Sequence, residues 1–300
     1  MARPRFGEVI TAMVTPFDGD GSVNFKGARA LAAHLVDHAS EGLVVCGTTG
    51  ESPTLSAEEK LGLFDNVMEE VGDRAAVIAG TGTYDTAESI ALTKEAAARG
   101  VTACLVVTPY YSKPPQNALL AHFRAIADAS EVPLIVYDIP GRTGRRIERS
   151  TLVALAGHER IVAVKDAIGD ALETAMVRAQ LDAAGHSDFE IYSGDDPMLL
   201  PHLAAGAVGT VSVCSHLVGP RIKDIFNAWN QGRFAEGRSL YAGLLPLMST
   251  IMTLTTSPIP VKAALGMLGL DVGEPRLPLV PPTAAESALI RDALGDAQLL

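Results

Sequence analysis

The stretch Pro133-Leu134-Ile135-Val136-Tyr137, with Ile161-Val162-Ala163-Val164-Lys165 following after residues 138–160, decides the fold. Each run is apolar at nearly every position, so both faces of the extended chain avoid water, as in a strand buried on both sides. The intervening segment is too long for a hairpin and long enough for a crossover helix, so the two strands are read as parallel. Working outward, similar runs precede this pair at Val9-Ile10-Thr11-Ala12-Met13-Val14, Gly42-Leu43-Val44-Val45-Cys46, Ala76-Val77-Ile78-Ala79 and Ala103-Cys104-Leu105-Val106-Val107. Two more follow it, Phe189-Glu190-Ile191-Tyr192 and Gly209-Thr210-Val211-Ser212-Val213.

Helix starts fall between the runs. Ser56 with Glu59, and Asp85 with Glu88, have the spacing of a capping box, and Asp196-Pro197 reads as an N-cap followed by a first-turn proline. Strands alternating with helices from residue 9 to about residue 230 predict an α/β protein, a (β/α)8 TIM barrel, with a doubly wound open sheet as the alternative. Residues 233–254, 260–268 and 283–294 have helical apolar spacing and no strand-like run. The expected organisation is therefore a barrel over residues 1–231 and a C-terminal helical appendage over 232–300.

Composition narrows the function classes. Hydrophobic residues make up 48% and charged residues 20% of 300 positions, which excludes a disordered chain. The formal charge is −11, and the longest basic run is Arg145-Arg146, so neither nucleic acid nor an anionic membrane is an expected partner. Cys46, Cys104 and Cys214 each sit in an apolar run without ligand spacing and read as buried thiols of a reducing cytosol. Arg3 and Arg5 precede an apolar stretch confined to residues 9–14, too short for a signal segment, and no run reaches the roughly 18 to 20 residues of a membrane span. A cytoplasmic, soluble protein is expected.

In a barrel of this kind the chemistry gathers where strands end. Lys165 directly follows an apolar strand, where an unpaired ammonium is expensive; burial would depress its pKa and create an amine nucleophile, while an ion pair with Asp166 is the alternative. Tyr137 closes the neighbouring strand as a proton shuttle or as an ordinary core tyrosine. Thr48 and Thr49, between Gly47 and Gly50, are turn residues or a carboxylate-binding pair. Arg142 in Pro140-Gly141-Arg142-Thr143 is a solvated loop tip or a bidentate carboxylate clamp. Helix capping accounts for Asp195 and Asp196 more simply than acid–base chemistry. His34 and His38, four apart and without a third ligand, read as a solvated helix face.

Six motifs in order carry a resemblance that spans nearly the whole chain: Ala12-Met13-Val14-Thr15-Pro16-Phe17, Gly47-Thr48-Thr49-Gly50-Glu51-Ser52, Val107-Thr108-Pro109-Tyr110-Tyr111, Tyr137-Asp138-Ile139-Pro140-Gly141-Arg142-Thr143, Val164-Lys165-Asp166 and Ser193-Gly194-Asp195-Asp196. With them the chain resembles the class I pyruvate-dependent aldolase family, in its dihydrodipicolinate synthase branch rather than the N-acetylneuraminate lyase branch. The resemblance implies that Lys165 forms a Schiff base with pyruvate, whose enamine adds to L-aspartate 4-semialdehyde, opening diaminopimelate and lysine biosynthesis without metal or organic cofactor. It also implies a proton path from Tyr137 through Thr48 to Tyr111, the last entering a neighbouring subunit's site, and hence a homotetramer built from tight dimers.

By the same resemblance Thr49 holds the pyruvate carboxylate, Arg142 holds the carboxylate of the aldehyde, and Gly194 and Val211 offer backbone carbonyls. Asp138 stands where many members have Asn, and Val211 where many have Ile, changes expected to leave the chemistry intact. Feedback-inhibited members bind lysine beside Tyr110. Here Ala57, Lys60 and Tyr84 replace histidines and an asparagine, although Ser52, Glu88 and Tyr110 remain, so lysine inhibition is expected to be weak or absent. The alternatives are a sibling aldolase of the sialate lyase or keto-deoxy sugar acid type, and a non-catalytic metabolite-binding barrel.

Overall fold

Eight strands close into a barrel in sequence order in the computed structural model, which describes residues 4–300. Arg3 lies outside the described residues. The strands are β1 (Val9–Ala12), β2 (Gly42–Val45), β3 (Ala76–Gly80), β4 (Ala103–Val107), β5 (Leu134–Asp138), β6 (Ile161–Asp166), β7 (Glu190–Ser193) and β8 (Gly209–Ser212). β1 pairs with β2 in parallel, as do β3 through β8 in succession. β1, β2, β5 and β8 are buried at every position, which is why the sequence shows runs rather than alternation.

The crossover helices are α1 (Phe25–Asp37), α2 (Ala57–Val71), α3 (Thr86–Ala98), α4 (Gln116–Asp128), a short α5 (Pro140–Thr143), α6 (Arg149–Ala156), α7 (Ala171–Ala183), α8 (Leu199–Ala204) and α9 (Ser215–Asn230). After them come α10 (Phe234–Thr253), α11 (Ile259–Met267) and α12 (Ala284–Asp296), where helical spacing places them. Two compact units divide the chain, one formed by residues up to 75 with 212–300, the other by 76–211. The first therefore holds β1, β2 and the C-terminal helices, and the second β3 to β7.

Ser56 and Glu59 form a complete capping box at the start of α2. Asp85 caps α3 through the Glu88 N–H, but the Glu88 carboxylate accepts from the Thr83 hydroxyl at 3.3 Å. Asp196 departs from its expected role. It lies inside a 3₁₀ turn (Asp196–Met198) in which Asp195 occupies the cap position, and it is 1% exposed. Following directly on β7, Asp196 enters the first turn of this short helix with its side chain buried rather than left at the surface. The His34 and His38 rings stack 4.0 Å apart, His38 exposed. Among the described residues no helix is long and apolar enough to cross a membrane.

Candidate active site

Lys165 is set within β6, in register with Tyr137 of β5 on one side and Tyr192 of β7 on the other. It is 5% exposed, and its Nζ lies 4.3 Å from the centre of the Tyr137 ring. A cation there is drawn to the π face but has lost most of its water. Burial lowers the amine to about 7 from an ordinary 10.5; Asp196 opposes the shift and Arg142 adds to it. At neutral pH about half of the molecules then carry a free amine, against about one in three thousand for an unperturbed lysine.

Gly194 makes room for that side chain. A Cβ at this position would lie 3.0 Å from both Cγ and Cε of Lys165 and 2.9 Å from the Ala167 side chain. Its N–H donates to the Asp166 carbonyl at 2.6 Å, holding the chain against β6. Next to it Asp195 is raised to about 6, by burial first and then by Asp196 and Asp166. Lys165 thus feels the negative charge of Asp196 and stands over the Tyr137 ring.

At the end of β5, Tyr137 is 4% exposed, and its carbonyl accepts from both the N–H and the hydroxyl of Thr108 at 2.9 Å. This doubly tied carbonyl joins the end of β5 to the segment after β4. Arg142 is exposed on α5, where Pro140 fixes the first helical turn and Gly144, at φ +68°, ends it. Tyr111 is 94% exposed with φ +69°, while Tyr110 is half-buried and meets Tyr84 edge-on at 5.2 Å. Val211 is buried in β8.

The threonine pair belongs to the other unit. Residues 47–52 form a tight turn in which the Glu51 N–H reaches the Thr48 carbonyl at 3.1 Å and the Ser52 N–H reaches the Gly47 carbonyl at 3.2 Å. Glu51 has φ +57°. The Thr15 hydroxyl donates to the Gly50 carbonyl at 2.6 Å, and the Ser257 hydroxyl stands 3.5 Å from that of the buried Thr49. Glu51 is clamped from the C-terminal segment: Lys262 Nζ lies 2.7 Å from Oε1, both side chains all but sealed from water, and the Arg276 N–H donates to Oε2 at 2.8 Å. Lys262 and Arg276 both lie over the Phe17 ring, at 4.2 and 4.4 Å, and the Arg276 guanidinium pairs with Glu59 at 2.5 and 2.8 Å.

Of the sequence candidates, the structure gathers Lys165, Tyr137 and Gly194 at the ends of β5 to β7, with Arg142 near enough to influence the amine. It leaves Tyr111 out on the surface. Sequence reasoning missed Asp196 as a charge acting on Lys165, for which burial gives no local signal. It also missed Ser257, Lys262 and Arg276, which lie some two hundred positions from the turn they support.

A model of the dihydrodipicolinate synthetase family matches residues 5–296. Among the relatives, 4-hydroxy-tetrahydrodipicolinate synthase of Desulforudis audaxviator is 52% identical over 98% of this chain and 99% of its own. The enzyme of the same name from Synechococcus elongatus is 52% identical over 97% of this chain and 94% of its own. Of solved structures, the lysine-bound enzyme of Cyanidioschyzon merolae superposes with a TM-score of 0.96 at 42% identity, covering 99% of this chain and 100% of that one. With a family model that runs almost end to end and full-length relatives at half identity, the chain belongs to the dihydrodipicolinate synthetase family.

Proposed function

We propose that the protein condenses pyruvate with L-aspartate 4-semialdehyde as a lyase of the Schiff-base type, the first committed step of diaminopimelate and lysine biosynthesis. The observation that carries this reading is Lys165, a buried amine lowered to about 7 and set over the Tyr137 ring. Its lone pair attacks the keto carbon of pyruvate, and the carbonyl oxygen leaves as water once protonated. Loss of a methyl proton gives the enamine, whose carbon adds to the aldehyde carbon of the second substrate. The substrate's own amino group then displaces Lys165 from the imine carbon, closing the ring and freeing the enzyme. The carbon skeleton is built on the lysine itself, so no metal or organic cofactor enters these steps.

Tyr137 is the proton donor and acceptor for the departing and entering oxygens, and Thr48 and Tyr111 complete the proton path. Thr49 takes the pyruvate carboxylate, Arg142 the carboxylate of the semialdehyde, and the carbonyls of Gly194 and Val211 face the imine. Tyr111, 94% exposed, is open to a neighbouring subunit, as the shared proton path requires. A homotetramer of tight dimers in the cytoplasm is the assembly that follows, with the barrel over residues 1–231 catalytic and residues 232–300 its helical support.

Incubation with pyruvate and borohydride, followed by intact mass and peptide mapping, tests the reading. One reduced pyruvate adduct per chain, on Lys165, is the expected result, with enzymatic condensation then measured on the semialdehyde. A folded protein that gains no adduct, with a known family member labelled in parallel, would overturn it.

A further inference from the structure

Asp138 is a buried carboxyl at the end of β5 that the chemistry above leaves unused. It is 3% exposed, and its Oδ2 accepts the backbone N–H of Ile147 at 3.0 Å. Its Oδ1 is buried and has no hydrogen-bond partner among the described residues. Burial pushes the group up to about 7, with Asp166 and Glu173 adding and the Ile147 bond and Arg146 opposing. Asp166, its neighbour in register, is already engaged: Oδ1 accepts the Ile168 N–H at 3.0 Å and Oδ2 the Thr174 hydroxyl at 2.6 Å. The Ile147 N–H is therefore held by Asp138.

The position of that bond gives it meaning. Residues 139–147 leave β5, form the turn that presents Arg142, and come back to the strand end at Ile147. Inside the turn, the N–H groups of Arg142 and Thr143 reach the Ile139 carbonyl at 3.0 Å, and the Thr143 hydroxyl lies 2.7 Å from the Arg145 carbonyl. Beyond it, Arg146 pairs with Glu173 at 2.5 Å, and the Gln116 side chain bridges the Arg146 carbonyl and the Glu148 N–H, both at 3.0 Å. The turn is thus rigid within itself and anchored on its far side, and the Asp138 carboxylate ties that far side to β5.

We propose that Asp138 is a positioning residue for the second substrate: by clasping the Ile147 N–H it closes the neck of the 139–147 turn and fixes where Arg142 meets the substrate carboxylate. A long, exposed arginine gains affinity only when its base is already held, because ordering the turn on binding would consume part of the interaction. The proposal rests on the Arg142 reading above.

The test compares Asp138→Ala, Asp138→Asn and Arg142→Ala with the full-length wild type. KM for the semialdehyde is measured beside the pyruvate concentration that gives half-maximal borohydride trapping at Lys165. Asp138→Ala is expected to raise the semialdehyde KM about tenfold or more while leaving pyruvate half-saturation within about twofold. Asp138→Asn, whose amide oxygen accepts the same N–H, is expected to return KM to within about threefold of the wild type. Should Asp138→Ala not fold, Asp138→Ser, too short to reach Ile147, takes its place. A semialdehyde KM unchanged by Asp138→Ala but raised by Arg142→Ala overturns the clasp and leaves the Arg142 reading standing. If Arg142→Ala also leaves it unchanged, both fall. Both substrates weakening together, or Asp138→Asn behaving like the alanine variant, reduces Asp138 to a structural role and overturns the proposal.

Discussion

Lys165 and Gly194 show how one side chain depends on the absence of another. A methyl group at 194 would press on the lysine stem and on Ala167 at once, and Ala167, whose Cβ is fixed to the backbone, cannot give way without moving the chain. Gly194→Ala is therefore expected to lower kcat/KM by about tenfold or more, with a stability loss of about 1 to 3 kcal/mol, read by steady-state kinetics and thermal melting. The buried amine also makes stability depend on pH. Between about 7 and its ordinary value of 10.5, Lys165 binds a proton in the unfolded chain that it lacks when folded, so its penalty falls as pH rises through that window and is full below it. Lys165→Met is accordingly expected to melt above the wild type at pH 7, with the gap narrowing toward about pH 10. That Lys165 follows an apolar strand was plain in the sequence. That Asp196 acts on it was not, because a buried carboxylate one residue before a proline looks like an ordinary cap.

At the scale of elements, the turn after β2 and helix α11 act on each other through Glu51 and Lys262. Both side chains are within 2% of full burial, so removing one partner strands the other's charge at about 3 to 5 kcal/mol. The two halves are not equivalent. Burial already lowers the Lys262 pKa, so the lysine can shed its proton once Glu51 is replaced. Lys262→Met is expected to lower the melting temperature more than Glu51→Gln, and the double variant to recover most of the loss; a double variant no better than Lys262→Met would count against the pair. Capping boxes and helical spacing made α2 and α10 to α12 readable along the chain. Which turn α11 supports was unreadable, since the contact joins residues 51 and 262.

At the scale of the whole molecule, the proposed proton path through Tyr111 requires a site shared between subunits. Mixing a Tyr111→Phe variant with a Lys165→Ala variant under conditions that exchange subunits is expected to restore part of the activity; no recovery, with exchange demonstrated, would sink the shared relay. Regulation is the second property of this scale. The Cyanidioschyzon merolae relative has lysine bound. By the resemblance, Ala57, Lys60 and Tyr84 of this chain take the places of hydrogen-bonding groups in the feedback-inhibited pattern; Lys60 is buried. A lysine side chain offers no acceptor to a ligand's ammonium, and each lost hydrogen-bond partner removes affinity. Inhibition by lysine is expected to be weak or absent, and an inhibition constant below about a millimolar in a standard assay would contradict this.

The sequence by itself determined the eight strand runs and their alternation with helices, and it singled out Lys165 at the end of one of them as a candidate nucleophile. Strands buried on both faces, separated by crossover lengths, are local patterns, and a lysine at the end of such a strand is a local anomaly. Tertiary structure alone decided the environment of each group: the ring under Lys165, the carboxylate acting on it, the clasp from Asp138 to Ile147 and the support of the Thr49 turn by Ser257, Lys262 and Arg276. Those depend on register and long-range packing, where desolvation and hydrogen bonding are set by neighbours distant in the chain.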